Sequence, residues 1–132
     1  MMMTPAFANP ESQRSLGPCP DSPNCVSSQS SDSSHFIEPF RLTVAPERGW
    51  DALKAVLQAI QGVKIVEESD GYMHAEATSR MFRFVDDVEF LMRPDGQLVD
   101  VRSASRVGYS DFGVNRRRIE RIRQELMADV AP

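Results

Sequence analysis

Side chains that could do chemistry are concentrated in the stretch VRSASRVGYSDFGVNRRRIERIR, residues 101–123. It runs from an apolar strand pattern, through serines and glycines, into a helical pattern rich in arginine. Free N–H groups at a helix start and nearby guanidinium groups attract anions, because both offer positive charge and hydrogen-bond donors. The stretch therefore predicts a small polar site for phosphate or carboxylate. Its candidate binding residues are Arg102, Ser103, Ser105, Arg106, Ser110 and Arg116.

A second interpretation of these arginines needs no ligand. They could line a solvated helix face and pair with Glu120, Glu125 and the acidic face of the sheet. On a helical wheel Asn115 falls inside the apolar stripe of the last helix, so its amide must be hydrogen-bonded. We expect Asn115 to organise the loop before this helix through hydrogen bonds. Ser110 or Asp111 is expected to cap the start of the helix. Three arginines point away from the stripe on this wheel: Arg117, Arg118 and Arg121.

Three carboxylates in the segment DDVEF form the second candidate site. Asp86, Asp87 and Glu89 could serve a metal-assisted hydrolase, which is the alternative function. However, no two of them share a diagnostic metal-ligand spacing. Asp86 falls on the apolar side of its strand, where an unpaired charge is costly, so we expect a structural role at a strand end or a pair with Arg80 or Arg83. We predict no metal ion, no cofactor and no catalytic residue.

Alternation assigns the two faces of the predicted sheet. Met73, Val88, Phe90, Val99 and Val101 share one face, which we expect to pack on the helices. The opposite, open face collects His74, Glu76, Asp87, Glu89, Asp100 and Arg102. Antiparallel sheets with one solvated face need polar residues there, and opposite charges stabilise cross-strand pairs. The favoured interpretation is a solvated surface rather than an active site.

Two cysteines, Cys19 and Cys25, lie six apart in a segment rich in proline. They are too few for a closed zinc site and lack the C-x-x-C spacing of thiol redox proteins. A disulfide in an oxidising compartment and two thiols in a reducing one are the alternatives, and we favour the disulfide. The segment Ala6–Ala8 has the small-x-small pattern of a signal-peptidase site, but the charged start and the apolar h-region of a signal are missing, so a disordered start is favoured over a trimmed precursor. With the disulfide, we favour an exported protein, periplasmic or lumenal, over a cytoplasmic one.

The remaining sequence predicts one α+β domain over residues 36–132, preceded by a mostly irregular tail over residues 1–35 with a Cys loop at 19–25. The predicted elements are a strand at 40–44, a helix at 46–62, strands at 63–68, 72–79, 86–93 and 97–105, and a helix at about 112–130. Tight turns at Gly71 and Gly96 make the strands antiparallel neighbours. The predicted fold is a mostly antiparallel five-stranded sheet with two helices packed on one face, in the order β-α-β-β-β-β-α.

Composition limits the class of partner. The chain has 132 residues, a net charge of -4, and thirteen arginines against two lysines. An acidic chain is not typical of a nucleic-acid binder, and no run of eighteen apolar residues predicts a membrane span. We expect a monomer whose partner is a small anionic ligand or another protein.

Three segments together resemble the domain-of-unknown-function family numbered 1499. They are CPDSPNCVSS, FVDDVEF and the opening stretch VRSASRVGYSDFGVNRRRIERIR. The resemblance implies membership but no chemistry, and similar proteins are often exported, lipid-anchored or lumenal. No lipobox precedes Cys19, so no lipid anchor is indicated there. We expect the three segments to meet at one end of the sheet, in a small non-enzymatic binding or accessory domain. A purely structural exported module is the other alternative.

Overall fold

The chain folds into two helices and one six-stranded sheet in a computed structural model that describes residues 15–81, 83–108 and 111–130. The elements are β1 (Cys25–Ser27), β2 (Phe40–Arg41), α1 (Pro46–Ala59), β3 (Val63–Ser69), β4 (Tyr72–Thr78), β5 (Val85–Met92), β6 (Leu98–Ser105) and α2 (Val114–Val130). The predicted α+β class, with an antiparallel sheet and two helices, is confirmed. The number of strands is six rather than five.

The sheet has the order β1-β6-β5-β4-β3, and every pair of neighbours is antiparallel. The four strands β3 to β6 form the predicted meander. Gly71 and Gly96 turn two of its corners with φ of 71° and 72°, a region that glycine adopts without strain. In the central register Ala75 lies opposite Val88, and Val88 lies opposite Ser103.

The additional strand β1 lies within the segment that we expected to be mostly irregular. It pairs with the outer edge of β6, with Cys25 opposite Ala104 and Ser27 opposite Arg102. β2 pairs with the other half of the same edge, where Phe40 lies opposite Val99. Two strands therefore share one edge. The predicted strand at 40–44 is only two residues long because β6 begins at Leu98, which lies opposite Arg41.

The predicted assignment of faces is confirmed. Apolar side chains of β4, β5 and β6 are buried against Leu53 and Leu57 of α1 and against Ile119, Ile122 and Leu126 of α2. In α1, Pro46 occupies the first turn, where its missing N–H costs nothing, and Glu47 favours the positive end of the helix dipole. The polar face of the sheet is consequently left on the side away from both helices.

Part of that polar face is covered by the segment that precedes β1. Leu16 is buried with Tyr72 and Leu91, and Arg102 Nη2 donates to the carbonyl oxygen of Pro18 at 3.0 Å. The Sγ atoms of Cys19 and Cys25 are 2.07 Å apart, which is a disulfide, so the segment is tied to the start of β1. None of the described helices is both long and apolar enough to cross a membrane.

Candidate functional site

A buried polar network occupies the end of the sheet where β6 stops and α2 begins. Asn115 is fully buried and lies at its centre. Its Oδ1 accepts from Ser103 Oγ at 2.5 Å and from Arg118 Nη1 at 2.8 Å. Its Nδ2 donates to the carbonyl oxygen of Asn24 at 3.1 Å and to Ser105 Oγ at 2.9 Å. We call this group the Asn115 network, and it joins the start of α2 to the end of β6 and to the segment before β1.

Asp111 caps α2 and completes the network. Its carboxylate accepts from the N–H of Gly113 at 2.8 Å, from the N–H of Asn115 at 3.0 Å and from Asn115 Nδ2 at 2.7 Å. Burial raises the pKa of Asp111, but these hydrogen bonds outweigh burial and hold the pKa below its ordinary value. The N–H groups that we expected to attract an external anion are thus already occupied by a carboxylate of the protein itself.

Asp86 is buried beside this network and pairs with Arg118. Asp86 Oδ2 lies 2.9 Å from Arg118 Nη2, so the expectation of a pair with Arg80 or Arg83 is wrong. The helical wheel is also wrong about Arg118, which turns back towards the sheet end. A wheel follows the direction of Cβ, whereas the long arginine side chain can reach over the first turn to a buried charge. The Cys loop, the Asp86 strand and the Ser-Arg loop therefore do meet at one end of the sheet.

On the opposite face of the sheet, Arg106 forms an exposed ion-pair cluster. Its Nε and Nη2 each lie 2.8 Å from an oxygen of Asp87, and Nη2 also donates to Glu76 at 2.7 Å. His74 Nε2 contacts the same Asp87 carboxylate at 2.7 Å. The hydrogen bond from Arg106 is the main reason why the pKa of Asp87 lies below its ordinary value. This cluster is a set of cross-strand pairs, as the sequence predicted for the open face.

The predicted anion-binding residues do not share one surface. Ser103 and Ser105 face the helices within the Asn115 network, whereas Arg102 and Arg106 face the other side of β6, because adjacent residues of a strand alternate. Arg102 pairs with Glu89 at 3.4 Å, and Arg116 donates to the carbonyl oxygens of residues 36 and 34 at 2.9 and 3.4 Å. Ser110 lies outside the described residues. Ligand binding at these six positions stays a prediction.

The three carboxylates of the alternative hydrolase site are likewise separated. Asp86 faces the helices, while Asp87 and Glu89 face the other side of the sheet. Glu89 accepts from Tyr72 Oη at 2.6 Å. Within the part of the chain that the structure describes, no three side chains of His, Cys, Asp or Glu are placed to hold a metal ion. The arrangement does not gather Asp86, Asp87 and Glu89 into one centre.

A groove lined by basic residues was missed by the sequence analysis. A cavity of about 300 Å³ lies between the end of α1 and the first turns of α2, bordered by Arg117, Arg118 and Arg121. A second cavity of about 380 Å³ shares five of its residues and is bordered by Lys64, Arg80 and Arg83. No acidic side chain is among the described residues that line either cavity. We call the two together the basic groove.

The only sequence signal for this groove was the run of arginines that opens α2. Arg117 and Arg121 are four apart and therefore lie on one face of the helix. Arg117 donates one hydrogen bond to the carbonyl oxygen of Phe112 at 2.8 Å, which leaves its charge unneutralised. Arg121 lies 3.9 Å from Glu125, and both side chains are largely exposed. Such a pair is weak in water, so these two cations are available to a ligand.

The structure is that of a small α+β domain. Most polar residues of its Asn115 network and of its open sheet face are buried or paired with one another. The chain belongs to the family described as "Protein of unknown function (DUF1499)", which matches residues 15–126. The resemblance drawn from the three motif segments is thereby confirmed. A search of curated proteins found no match for the chain.

Proposed function

We propose that the chain is a non-enzymatic binding or accessory domain that recognises an anionic group, phosphate or carboxylate, in the basic groove. The observation that carries the proposal is the composition of the groove lining. Five basic residues, besides Arg118 with its partner Asp86, line the two cavities in a chain that carries nineteen acidic residues. Concentrated positive charge in a concave surface raises the local concentration of anions.

The groove is favoured over the Ser-Arg loop because of what already contacts each arginine. Arg106 is held by two carboxylates, Arg102 by Glu89 and the carbonyl oxygen of Pro18, and Arg116 by two carbonyl oxygens. An external anion would have to displace those acceptors. Arg117 and Arg121 would lose much less, since one uses a single carbonyl oxygen and the other a distant exposed glutamate.

Titration of the labelled protein with inorganic phosphate and pyrophosphate at low salt, followed by amide NMR, tests this proposal. We expect shifts at Gly62, Thr78 and Ser79, which line both cavities, and weaker binding at high salt because ions screen exposed charges. The double variant Arg117→Gln/Arg121→Gln should lose these shifts.

Arg41→Gln/Arg48→Gln is the matched control, since both side chains are exposed and lie outside the groove. It changes the net charge by the same amount and should keep the shifts. Equal loss in both double variants would show that net charge alone is responsible and would contradict a site in the groove. Shifts centred on Gly108 and Gly113 instead would favour the Ser-Arg loop.

A further inference from the structure

Exposed apolar side chains are concentrated at the same end of the sheet as the basic groove. The large hydrophobic residues exposed there are Met81 at 81%, Phe84 at 55%, Val107 at 57%, Phe112 at 85% and Val114 at 38%. Only Val66, at 41% on β3, has comparable exposure elsewhere in the described chain. Scattered exposed apolar residues are normal, but a concentration of them marks an interaction surface.

The topology brings these residues together. β4 ends at Thr78, which lies opposite Val85, and β5 begins there, with Asp86 opposite Ser105 near the end of β6. The N–H of Arg106 donates to the carbonyl oxygen of Val85 at 3.3 Å. Neighbouring strands are about 4.8 Å apart, so the β4–β5 and β6–α2 connections lie side by side. We call the exposed side chains of Met81, Phe84, Val107 and Phe112 on these two connections the apolar tips.

Backbone strain points to the same two connections. In the described chain two non-glycine residues have left-handed φ, Arg83 at 59° and Phe112 at 54°. A bulky residue in this region is strained, because its Cβ atom comes too close to the following carbonyl oxygen. Strained backbone persists mainly at binding and catalytic sites, where the conformation itself is needed. Here the strain holds one basic and one aromatic side chain at the end of the domain.

We propose that this end of the domain docks on an anionic membrane surface. The apolar tips enter the headgroup region, and Lys64, Arg80, Arg83, Arg117 and Arg121 contact lipid phosphates. The proposal rests on the proposed function, since it names the lipid headgroup as the source of the anion in the basic groove. Side chains that alternate apolar and basic match a membrane interface, where hydrocarbon lies directly beneath a layer of phosphates.

A protein partner fits this surface less well. Protein–protein interfaces also favour arginine, methionine and aromatic residues, but their central part is depleted in charge. In this chain arginines stand directly beside the apolar residues, as Arg80 and Arg83 do beside Met81 and Phe84. The net charge of -4 disfavours binding to anionic surfaces by the rest of the molecule. Charge complementarity therefore limits docking to the end that carries the basic groove.

Flotation with lipid vesicles tests the proposal. The wild-type chain should bind vesicles of phosphatidylcholine and phosphatidylglycerol, and should not bind phosphatidylcholine alone. Each basic residue near an anionic surface contributes a factor of about five in binding, so Lys64→Gln/Arg80→Gln should weaken binding by about 25-fold. Met81→Ser/Val107→Ser should weaken it by about tenfold, because two apolar side chains no longer leave water.

Matched controls separate docking from general effects. Arg41→Gln/Arg48→Gln keeps the groove but changes the net charge equally, and Val66→Ser removes an exposed apolar side chain elsewhere. Both should bind vesicles as the wild type does. Thermal unfolding of all variants should show an intact fold, since the substituted side chains are partly or largely exposed.

Two outcomes overturn the inference in distinguishable ways. If inorganic phosphate titrates the groove but anionic vesicles do not bind, the proposed function stands and the anion belongs to a soluble or protein partner. If neither binds, both proposals fail. Vesicle binding that is unchanged in Met81→Ser/Val107→Ser would refute insertion of the apolar tips.

Discussion

Replacing Asn115 by alanine removes five side-chain hydrogen bonds from the interior of the domain. Most of the partners keep another contact: the carbonyl oxygen of Asn24 still accepts from the N–H of Ser105, and Arg118 keeps Asp86. The hydroxyl of Ser103, which is fully buried, loses its acceptor. An unsatisfied buried donor costs about 1–3 kcal/mol.

The lost bonds to Arg118 and Asp111 involve charged groups and add to this cost. We therefore expect the free energy of unfolding to fall by about 3 kcal/mol, a large part of the total for a domain of this size. Urea unfolding followed by the fluorescence of Trp50, the single tryptophan, measures the change. Gln124→Ala on the exposed face of α2 is the control, and should stay within about 0.5 kcal/mol of wild type.

A second substitution at the same position tests the electrostatics. Asn115→Asp puts a carboxyl group beside Asp111, whose Oδ2 is 2.7 Å from the present Nδ2. Burial and the like charge of Asp111 raise the pKa of the new group in the folded state above its ordinary value of about 3.9, against the opposite effect of Arg118, whose charge is shared with Asp86. The folded state then binds more protons than the unfolded state, so stability falls as pH rises, by up to about 1.4 kcal/mol per pH unit.

The free energies of unfolding of Asn115→Asp and Asn115→Ala should therefore diverge as pH rises from about 4. Asn115→Ala adds no carboxyl group, and its stability relative to wild type should change little over the same range. Parallel pH profiles, or a loss in Asn115→Ala of less than about 0.5 kcal/mol, would refute the view that this amide is a closed part of the core.

Three further changes test other contacts. Cys19→Ser/Cys25→Ser should lower the free energy of unfolding by about 2 kcal/mol, since the disulfide closes a short loop, and limited proteolysis should then cut the segment before β1; an unchanged digestion pattern would contradict this. Arg106→Gln should raise the pKa of Asp87 towards its ordinary value in carboxyl NMR titrations. Because a lowered pKa stabilises the fold only above it, the loss should be present at neutral pH and vanish as pH falls through the pKa of Asp87. Phe112→Asn should raise the free energy of unfolding by about 0.5–1 kcal/mol in calorimetry, since asparagine tolerates left-handed φ; lower stability would argue against strain there.

The strands and turns that depend on alternating side chains and on turn residues were predicted correctly from the sequence. Alternation placed Val88, Phe90 and Val101 on the helix side, and turn residues such as Gly96 fixed the meander. β1 was not predicted because it has only three residues, with one apolar side chain facing the core. This is too short to show the alternation of a strand. Its strand conformation comes from pairing with β6, some 77 residues later, opposite Ala104 and Arg102.

The candidate sites likewise combine features that local sequence predicts with contacts that it does not predict. Alternation already indicated that Asp86 faces inwards, but not that Arg118 would meet it, since that depends on where the first turn of α2 lies over the sheet end. The anion site predicted from the Ser-Arg loop ignored alternation between Ser103 and its neighbours. The basic groove joins residues from three separate segments, such as Lys64, Arg83 and Arg121, and no spacing in the sequence connects them.

The pairing of β1 with β6 also sets the order in which the chain can fold. The bond between Asn115 and Asn24 spans 91 residues, and that between Ser28 and Asp100 spans 72. Closing such loops costs entropy before the contacts repay it, which slows folding. The disulfide spans only six residues and needs no other part of the sheet. The segment that carries β1 must therefore wait for β6 and α2, so the domain can become stable only after both of these elements have been made.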